Sequence, residues 1–508
     1  MKITFEADTT LRAGLSIFLV FADDISSDRL AELDVKLAGA IARSVQATRY
    51  NAAFGERLDI SCHDALAPAR VMLLGCGNAA EMSAGKAERL GGKAFLEACS
   101  TSIAAVQLLL PSNLSQALPT EEFLASLHAG WRLRAGNPDS YRSEKKKNNR
   151  PGIDKVVIAA PGADDRTVQE RVTRSDAVTT AVLNTRALIM APPNHLTPAK
   201  LCDCSRELSA FGVDVHVITE PEALNRGFPG TAAVARGSAE PAGISIMQWS
   251  AAAAEQAPTI ALAGKGVTYD SGGITPKSAS GQILMKFDMG GAAVVIGVLQ
   301  AVAALGLNIN VIGAFAACEN MSGSAAFRAG DVLTMNNGAT VEVSFPDAEG
   351  RLLLADLNIH LCAEYKPDLI VDIATLTYTV MGALGDGCTG LFTDDDGIAA
   401  GLLKAGRQAE QRIWRLPTGE HYLQSLDSHI ADLKNMPAPN HFGVLAGSAS
   451  VAAAFLRYFV EGARWAHLDT AAATWAAESS ELWPAGPTGE PVKSIVAWLE
   501  AMASSQCQ

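Results

Sequence analysis

The stretch MGGAAVVIGVLQAVAALGLNINVIGAFAAC, from Met289 to Cys318, contains no charged residue, and it decides the fold class. Its length and composition meet the criterion for a membrane-spanning helix. However, its small residues predict a helix over about 291–305 that ends at Gly306, and the β-rich run LNINVIGAF predicts a strand over 307–317. A helix followed directly by an apolar strand is typical of a buried α/β unit. We therefore expect no membrane segment here.

Strand and helix patterns continue on both sides of this unit, from residue 195 to the C-terminus. Further strands are predicted near 213–219, 243–249, 258–264, 367–374 and 464–469. Further helices are predicted near 350–364, 396–411 and 447–461. Because alternating strands and helices build a sheet covered by helices, residues 195–508 are expected to form the larger, C-terminal α/β domain.

The first 165 residues show the same alternation on a smaller scale. Apolar runs that predict strands are Gly14–Phe21, Ala69–Cys76 and Ile103–Leu110, with another strand at 155–160. Amphipathic stretches between them lie at about 29–46, 80–99 and 120–134. We expect residues 1–165 to form a smaller N-terminal α/β domain with a mostly parallel sheet. A long helix over about 166–190 ends before a proline-rich segment, so residues 166–194 are predicted to be a connecting helix and loop.

Composition excludes several classes of function. The 508-residue chain has a formal net charge of −13, which disfavours nucleic acid as a partner because phosphate recognition needs clustered positive charge. The basic run between 145 and 150 is expected to be a solvated loop. The 9 cysteines contain no CxxC pair and are expected to be reduced thiols of a cytoplasmic protein. No small-residue cleavage site follows the first apolar run, which argues against a signal peptide.

Three short segments place charged residues in apolar surroundings: GKGVTYDSGG with a lysine beyond it (Lys265, Asp270, Lys277), MKFDMGG (Asp288) and PDAEGR (Asp347, Glu349, Arg351). Lys265 and Asp270 are five residues apart, which would put them on opposite faces of a straight strand. Gly266 is therefore the candidate for a bend that lets both converge. Asp347 and Glu349 are two apart, so an extended chain would point both the same way.

Each of these residues also has a simpler structural explanation. Asp288 could cap a helix, Asp347 and Arg351 could form an i,i+4 ion pair, and Lys265 could extend from a strand end towards solvent. Taken together, however, they put four carboxylates at strand ends of one α/β domain, where such folds bind ligands. Four carboxylates share a pocket only when protons or cations neutralise them, and two divalent ions would supply that charge.

The ordered motifs GKGVTYDSGG, MKFDMGG and DAEGRL resemble the signatures of the leucine (cytosol) aminopeptidases. The runs WRLP at 414–417, ADLKN at 431–435 and WAHLD at 465–469 also fit, and the resemblance covers most of 170–505. It implies that residues 195–508 are the catalytic domain of a metallo-aminopeptidase, which hydrolyses the N-terminal residue from peptides. It also implies a homohexamer and two divalent metal ions per subunit, usually zinc, with manganese, cobalt or magnesium as alternatives.

The resemblance further implies a role for each site residue. Asp270 and Glu349 would bridge the two metals, Asp347 would complete the looser metal site, and Asp288 with Lys265 would complete the tighter one. Lys265 must then be a neutral amine, and burial beside two cations would depress its pKa.

Two catalytic residues and a substrate pocket are implied in the same way. Lys277, with the metals, would stabilise the oxyanion of the tetrahedral intermediate. Arg351 would hold a bicarbonate that relays the proton. The pocket for the first side chain of the substrate would be lined by Met285, Thr375, Leu376 and Tyr378.

Two departures from the family pattern leave an alternative open. Phe345-Pro346 replaces the usual Asn-Thr before Asp347, and Tyr378 replaces a glycine. The proline removes an N–H next to a metal ligand, and the tyrosine would narrow the cleft. They put a preference for leucine in doubt and motivate a catalytically weak or silent family member that acts as an oligomeric scaffold or regulatory binding protein. A metal phosphatase with the same ligands and a DNA-binding relative are weaker alternatives.

Overall fold

A computed structural model of the chain describes residues 1–505 except 13, 62–67, 112–113, 115–117, 137–140, 144–151, 252–256, 442–444 and 446. The basic run at 145–150 lies outside the described residues. The fold has two compact units: unit 1 comprises Met1–Thr179 and Glu478–Pro484, and unit 2 comprises Thr180–Ala477 and Ala485–Gln508. The division falls inside the helix Arg166–Met190, whose bounds match the predicted connecting helix. The domain limits at 165 and 195 stay predictions.

Unit 1 is an α/β unit with a six-stranded sheet in the order β1-β6-β5-β2-β4-β3, and this confirms the predicted mostly parallel sheet. Its strands are β1 (Lys2–Glu6), β2 (Gly14–Phe21), β3 (Arg57–Ser61), β4 (Pro68–Gly77), β5 (Ala105–Leu109) and β6 (Lys155–Ala159). The edge strand β3 is antiparallel to β4. Its helices are α1 (Asp28–Lys36), α2 (Ala40–Thr48), α3 (Ala84–Cys99), α4 (Thr120–Ala135) and the first half of α5 (Arg166–Met190). The single stretch predicted at 29–46 is therefore two helices.

Unit 2 contains a mixed eight-stranded sheet in the order β15-β14-β17-β13-β9-β10-β8-β7. Its strands are β7 (Asp214–Ile218), β8 (Gly243–Trp249), β9 (Thr259–Asp270), β10 (Asn310–Asn320), β13 (Leu369–Ala374), β14 (Cys388–Phe392), β15 (Arg412–Arg415) and β17 (Arg464–Asp469). The central strands β17, β13, β9 and β10 are parallel to one another. Small sheets are formed by β11 (Val332–Thr334), β12 (Thr340–Glu342) and β16 (Leu433–Lys434), and by β18 (Trp475–Ala476) and β19 (Gly486–Pro487).

The helices of unit 2 confirm the predicted α/β alternation. After the second half of α5 they are α6 (Pro198–Arg206), α7 (Pro221–Gly227), α8 (Pro229–Ala235), α9 (Ala279–Gln282), α10 (Gly290–Leu305), α11 (Gly350–Glu364), α12 (Tyr378–Leu384), α13 (Asp396–Gln408), α14 (Glu420–Gln424), α15 (Ser448–Tyr458) and α16 (Val492–Ser505). Short 3-10 helices lie at Ala22–Asp24, Ala79–Glu81, Glu207–Phe211 and Met285–Phe287.

The uncharged stretch forms α10, which ends at Gly306 as predicted, and most of β10, which begins and ends three residues later than the strand predicted over 307–317. The segment Met285–Leu305 is long and apolar enough to cross a membrane, but 89% of its apolar 18-residue window is buried inside the protein, as in the core helix of an α/β unit. A glycine at the start of α10 permits its close contact with the sheet. A Cβ at Gly291 would lie 2.0 Å from the Ile373 carbonyl oxygen and 2.8 Å from the backbone nitrogen of Lys265. The beginning of α10 therefore rests directly on β13 and β9.

A bulge in β9 decides which way its charged residues point. Val267 pairs with Cys318 of β10 and Tyr269 pairs with Glu319, so Thr268 has no counterpart on the neighbouring strand. One extra residue reverses the alternation of side chains and brings Lys265 and Asp270 to the same face. The predicted bend at Gly266 is wrong, because that residue pairs regularly within the strand. Its lack of a side chain serves packing, since a Cβ there would lie 2.5 Å from the Ala316 carbonyl oxygen.

Candidate active site

A cavity of about 320 Å³ opens beside the carboxyl ends of β9 and β13 in unit 2, the usual ligand-binding edge of an α/β sheet. All seven charged residues singled out from the sequence line it: Lys265, Asp270, Lys277, Asp288, Asp347, Glu349 and Arg351. The four residues expected to form a substrate pocket, Met285, Thr375, Leu376 and Tyr378, line the same cavity. The three segments therefore meet in one place, although they are separated along the chain.

Lys265 lies inside the cluster of carboxylates and does not extend towards solvent, since its residue exposure is 3%. Its Nζ lies 2.7 Å from Asp288 Oδ2 and 2.8 Å from Glu349 Oε1, and it donates a hydrogen bond to the Thr375 carbonyl oxygen at 3.3 Å. Three acceptors match the three donors of an ammonium group. Burial opposes the charged form, but Asp288 and Glu349 outweigh it and hold the pKa of Lys265 well above its ordinary value.

Lys277 forms ion pairs with the carboxylates on the other side of the cluster. Its Nζ lies 2.7 Å from Asp270 Oδ2 and also forms an ion pair with Asp347 Oδ1. The second oxygen of Asp270 accepts hydrogen bonds from Asn320 Nδ2 and from the Gly272 N–H, both at 2.9 Å. Burial disfavours the charged ammonium, but the carboxylates, Asp270 first, raise the pKa of Lys277.

Asp347 and Glu349 come together, but not along an extended chain as predicted. Pro346 and Asp347 form a turn, with the Ala348 N–H donating to the Phe345 carbonyl oxygen at 3.1 Å. Glu349 already has helical backbone angles, because α11 begins at the next residue. The prediction that two-residue spacing aligns these carboxylates is therefore wrong in its reason, since a turn and a helix start align them instead.

The simpler explanations for Asp288 and Asp347 do not hold. Met289 is the residue that precedes α10 at its N-terminus, and Asp288 instead accepts a hydrogen bond from Thr375 Oγ1 at 2.7 Å. Asp347 forms its ion pair with Lys277. Asp347 also precedes α11, which begins at Gly350, so it does not share a helix with Arg351. No ion pair between Asp347 and Arg351 is found among the described residues.

The cluster carries more negative than positive charge. Burial raises the pKa of Asp288 to about 8, and burial together with Glu349 and Asp270 raises that of Asp347 to about 7. Burial by itself would raise the pKa of Glu349, but Lys265 and Lys277, together with the hydrogen bonds of the carboxylate, outweigh it and lower that pKa. Carboxylates with raised pKa values bind either protons or cations.

The donor set fits divalent cations. Asp270, Asp347 and Glu349 each offer an oxygen atom, and these atoms all lie within 4.8 Å of one another. Asp288 and the Lys265 amine lie beside them and add one oxygen and one nitrogen donor. Carboxylate oxygens close together are the ligands that hard or borderline divalent ions prefer.

Arg351 is buried at the back of the cavity. Its Nη1 donates to the Asn435 carbonyl oxygen at 2.6 Å, while its Nε has no hydrogen-bond partner among the described residues. Burial lowers the pKa of Arg351 to about 10, although Glu349 and Asp469 favour its charged form. A buried cation with a free donor is suited to an anion or a polarised oxygen.

The four pocket residues differ in what they do. Tyr378 lies at the start of α12 and is 60% exposed, with its hydroxyl 3.9 Å from the Met285 sulfur. Met285 is buried and Leu376 is half-buried, so these three make an apolar wall. Thr375 is buried and holds Asp288 through its hydroxyl, so its position serves the charged cluster more than the wall.

Three buried residues that support the cluster were not singled out from the sequence: Asn320, Asn435 and Asp469. Asn435 and Asp469 lie within the ADLKN and WAHLD runs, but neither run by itself indicated a contact with the charged segments. Only an amide or carboxylate in an otherwise apolar context hinted at them, and that signal is too general to identify a partner.

Comparisons with known proteins agree with this geometry. Residues 184–496 match the pattern described as the cytosol aminopeptidase family, catalytic domain, and residues 17–145 match the N-terminal domain of the same family. A probable cytosol aminopeptidase of Rhizobium etli (strain CIAT 652) is 35% identical over 96% of this chain and 96% of its own length. One of Caulobacter vibrioides is 36% identical over 89% of this chain and 88% of its own.

Solved structures with the same fold include a tomato leucine aminopeptidase mutant, with a TM-score of 0.85 and 28% identity over 98% of this chain and 97% of that one. The bottromycin maturation enzyme BotP in complex with Mn has a TM-score of 0.82 and 29% identity over 96% of this chain and 99% of that one. The chain therefore belongs to the cytosol aminopeptidase family and is a metallo-aminopeptidase, a hydrolase that acts on the N-terminal end of peptides.

Proposed function

We propose that this aminopeptidase uses two divalent metal ions, held by Lys265, Asp270, Asp288, Asp347 and Glu349. The observation that carries the proposal is the convergence of four carboxylates and two lysines in one largely buried cavity. Zinc suits the mixed nitrogen and oxygen donors, and manganese, cobalt or magnesium suit the oxygens. When bound, two such ions supply an acidified water as nucleophile and polarise the peptide carbonyl group.

Lys265 changes its proton state in this proposal. An amine donates its lone pair to a cation only when it is neutral, so Lys265 must lose the proton that Asp288 and Glu349 now stabilise. Cations in the cluster would remove that stabilisation, and the burial of the side chain would then favour the neutral amine.

Lys277 and Arg351 are the proposed catalytic residues. Lys277 reaches the cavity from a loop, and its ammonium group would stabilise the negative charge that develops on the carbonyl oxygen of the substrate. Arg351 would hold a bicarbonate through its free Nε donor, and the bicarbonate would relay the proton. The described lining residues include no histidine, so a side chain of that type does not supply the base.

The substrates proposed for the site are peptides with an apolar first residue. Met285, Leu376 and Tyr378 would contact the first side chain, and two further methionines, Met381 and Met436, line the same cavity. Methionines adapt to side chains of different shape, which favours a broad preference over a strict one for leucine.

The catalytically silent alternative is not favoured. Two departures motivated it: Tyr378, which lines the cavity, and Phe345-Pro346, which removes a backbone N–H beside Asp347. The hydrogen bonds that hold this loop use the N–H groups of Ser344 and Phe345 and the carbonyl groups of Phe345, Pro346 and Ala348. None of these bonds requires an N–H at residue 346, so proline is compatible with an intact site.

Metal content combined with a substrate panel tests the proposal. Purified protein should hold about two zinc or manganese ions per chain and should release free amino acid from aminoacyl amides. Glu349→Gln should lose activity by about a thousandfold or more, because it removes a bridging ligand and keeps the side-chain volume. Two findings would count against the proposal: no release with either metal, or full activity in protein that binds no metal.

We also propose that the protein is a cytoplasmic homohexamer without a membrane or nucleic-acid partner. The low charged fraction, 19%, agrees with subunit faces that are covered in an assembly. Sedimentation should give a mass near six times 53.1 kDa. A monomer at micromolar concentration would contradict the assembly and leave the metal site untouched.

A further inference from the structure

Asn435 is a fully buried amide that lies under the loop bearing Asp347. It directly follows β16, and its backbone N–H donates to the Glu342 carbonyl oxygen at 3.0 Å. It is not among the residues that line the cavity. The residue is therefore close to the site without offering an atom to it.

The side chain of Asn435 makes five hydrogen bonds to residues 344–348. Its Oδ1 accepts from the Ser344 N–H at 2.8 Å, the Ser344 hydroxyl at 3.1 Å and the Phe345 N–H at 3.1 Å. Its Nδ2 donates to the Phe345 carbonyl oxygen at 2.8 Å and to that of Ala348 at 3.2 Å. Both amide hydrogens and the acceptor oxygen are thus used on one loop.

The backbone of the same residue extends this connection to Arg351, whose Nη1 donates to the Asn435 carbonyl oxygen at 2.6 Å. Asn435 therefore contacts the chain before Asp347, between Asp347 and Glu349, and after Glu349. Buried backbone groups must be paired, and the Asn435 side chain pairs two N–H groups and two carbonyl groups of this loop.

We propose that Asn435 is a positioning residue, which acts through the loop 344–348 to hold the Asp347 carboxylate and the Arg351 guanidinium in their working places. The inference rests on the proposed function of the site. A neutral amide is the group that this place requires. A carboxylate would lose both donated bonds and would face two carbonyl oxygens beside a cluster that is already negative.

The test compares Asn435→Asp and Asn435→Ala with a matched control, Asn358→Ala. Asn358 is an equally buried asparagine of unit 2, but its Nδ2 donates to Asp372 Oδ2 at 3.1 Å and not to the loop. Protein stripped with a chelator is titrated calorimetrically with Mn²⁺, and thermal unfolding is recorded in parallel. The wild type should show two binding events.

We expect both Asn435 variants to weaken the event that depends on Asp347 by about ten- to a hundredfold, as is usual when a group that orients a metal ligand is removed. The event that depends on Lys265 and Asp288 should stay within about threefold of the wild type. Asn358→Ala should lower the melting temperature and leave both affinities within about threefold.

The outcomes separate this inference from the proposal beneath it. If the wild type binds no metal, the two-metal function itself fails. If the wild type binds two ions and the folded Asn435 variants bind them equally well, only the role of Asn435 is overturned. If both Asn435 variants unfold where Asn358→Ala stays folded, Asn435 serves the stability of the whole unit, and the positioning role is again overturned.

Discussion

The site has two halves that are built differently. One contains Lys265 and Asp288, whose side chains are 4% and 6% exposed, and the other contains Lys277 and Asp347, at 10% and 15%. In the first half, Lys265 lies on β9, and Asp288 lies two residues before α10 begins. The second depends on the loops that carry Lys277 and Asp347.

Each half is supported by a different buried polar residue. Beside the first half, Asp469 accepts hydrogen bonds from the Leu376 N–H at 3.1 Å and from the Thr377 hydroxyl at 2.7 Å. It also accepts from the Ala471 N–H at 3.1 Å. The loop 375–377 includes Thr375, which in turn donates to Asp288. Beside the second half, Asn435 holds the loop 344–348.

The hydrogen-bonding groups that each loop exposes determine which type of buried side chain can support it. Loop 375–377 presents N–H and O–H donors to its support, and an acceptor-only carboxylate satisfies them. Loop 344–348 presents donors and carbonyl acceptors together, and an amide satisfies both. Because buried backbone groups must be paired, these two supports are not interchangeable.

The largest expected effect separates the two lysines in protein without metal. Lys265→Met should lower the free energy of unfolding by about 3–5 kcal/mol, because it leaves two buried carboxylates without a cation. Lys277→Met should cost less, since water reaches Asp347 more easily. Chemical denaturation of chelator-treated protein measures both. An equal loss in the two variants would remove the distinction between the halves.

The next effect concerns Asp469. Asp469→Ala removes the acceptor of three donors, the buried Thr377 hydroxyl and the half-buried N–H groups of Leu376 and Ala471, and should cost about 3 kcal/mol. Thr377→Val removes one of these bonds and should cost about 1 kcal/mol. Urea unfolding curves of the two variants give the comparison. A Thr377→Val variant as unstable as Asp469→Ala would mean that the hydroxyl bond alone supports the loop.

A pH series distinguishes the charged support from the neutral one. Burial raises the pKa of Asp469 above its ordinary value and outweighs the opposing effects of His467 and of the hydrogen bonds from Thr377 and Ala471. The folded protein therefore holds this proton more tightly than the unfolded chain, so Asp469 favours folding most at low pH.

The stability of the wild type relative to Asp469→Asn should accordingly fall as pH rises above about 3.9, by at most about 1.4 kcal/mol per pH unit, and then level off above the raised pKa. The same measurement on Asn435→Ser relative to the wild type should show no such slope from residue 435, because an amide does not titrate. A difference that rises with pH for Asp469→Asn would contradict the raised pKa.

The smallest effect lies at the link between the first half and its support. Thr375→Val removes the hydroxyl that donates to Asp288 and should cost about 0.5–1 kcal/mol, in the lower part of the range for a single hydrogen bond. Thr375→Ser keeps the hydroxyl and should recover most of this loss. If serine and valine are equally destabilising, packing of the methyl group matters more than the bond.

Much of the fold could be predicted from local pattern. The proline-rich segment after residue 190 indicated where the connecting helix ends, and Gly306 indicated where α10 ends and gives way to β10, because both signals depend on neighbours along the chain. Strands β14 and β15 were not predicted. Their apolar runs are short, and β15 alternates buried with exposed residues over only four positions.

The charged residues of the site were also accessible from the sequence, but their geometry was not. The alignment of Lys265 with Asp270 depends on Thr268 having no counterpart on β10, and the alignment of Asp347 with Glu349 depends on a turn. Pairing with a neighbouring strand cannot be read from the spacing of two residues on one strand.

By itself, the sequence determined the α/β class, the absence of charge in the central unit and the seven charged residues that line the cavity. These features follow from residue type and local order along the chain. Only the tertiary structure decided which side chains support the site. Asn435 lies 84 residues from Arg351, and Asp469 lies 93 residues from Leu376. Which buried donors and acceptors a loop leaves unpaired is defined only once the chain has folded, so the choice of amide or carboxylate becomes intelligible only there.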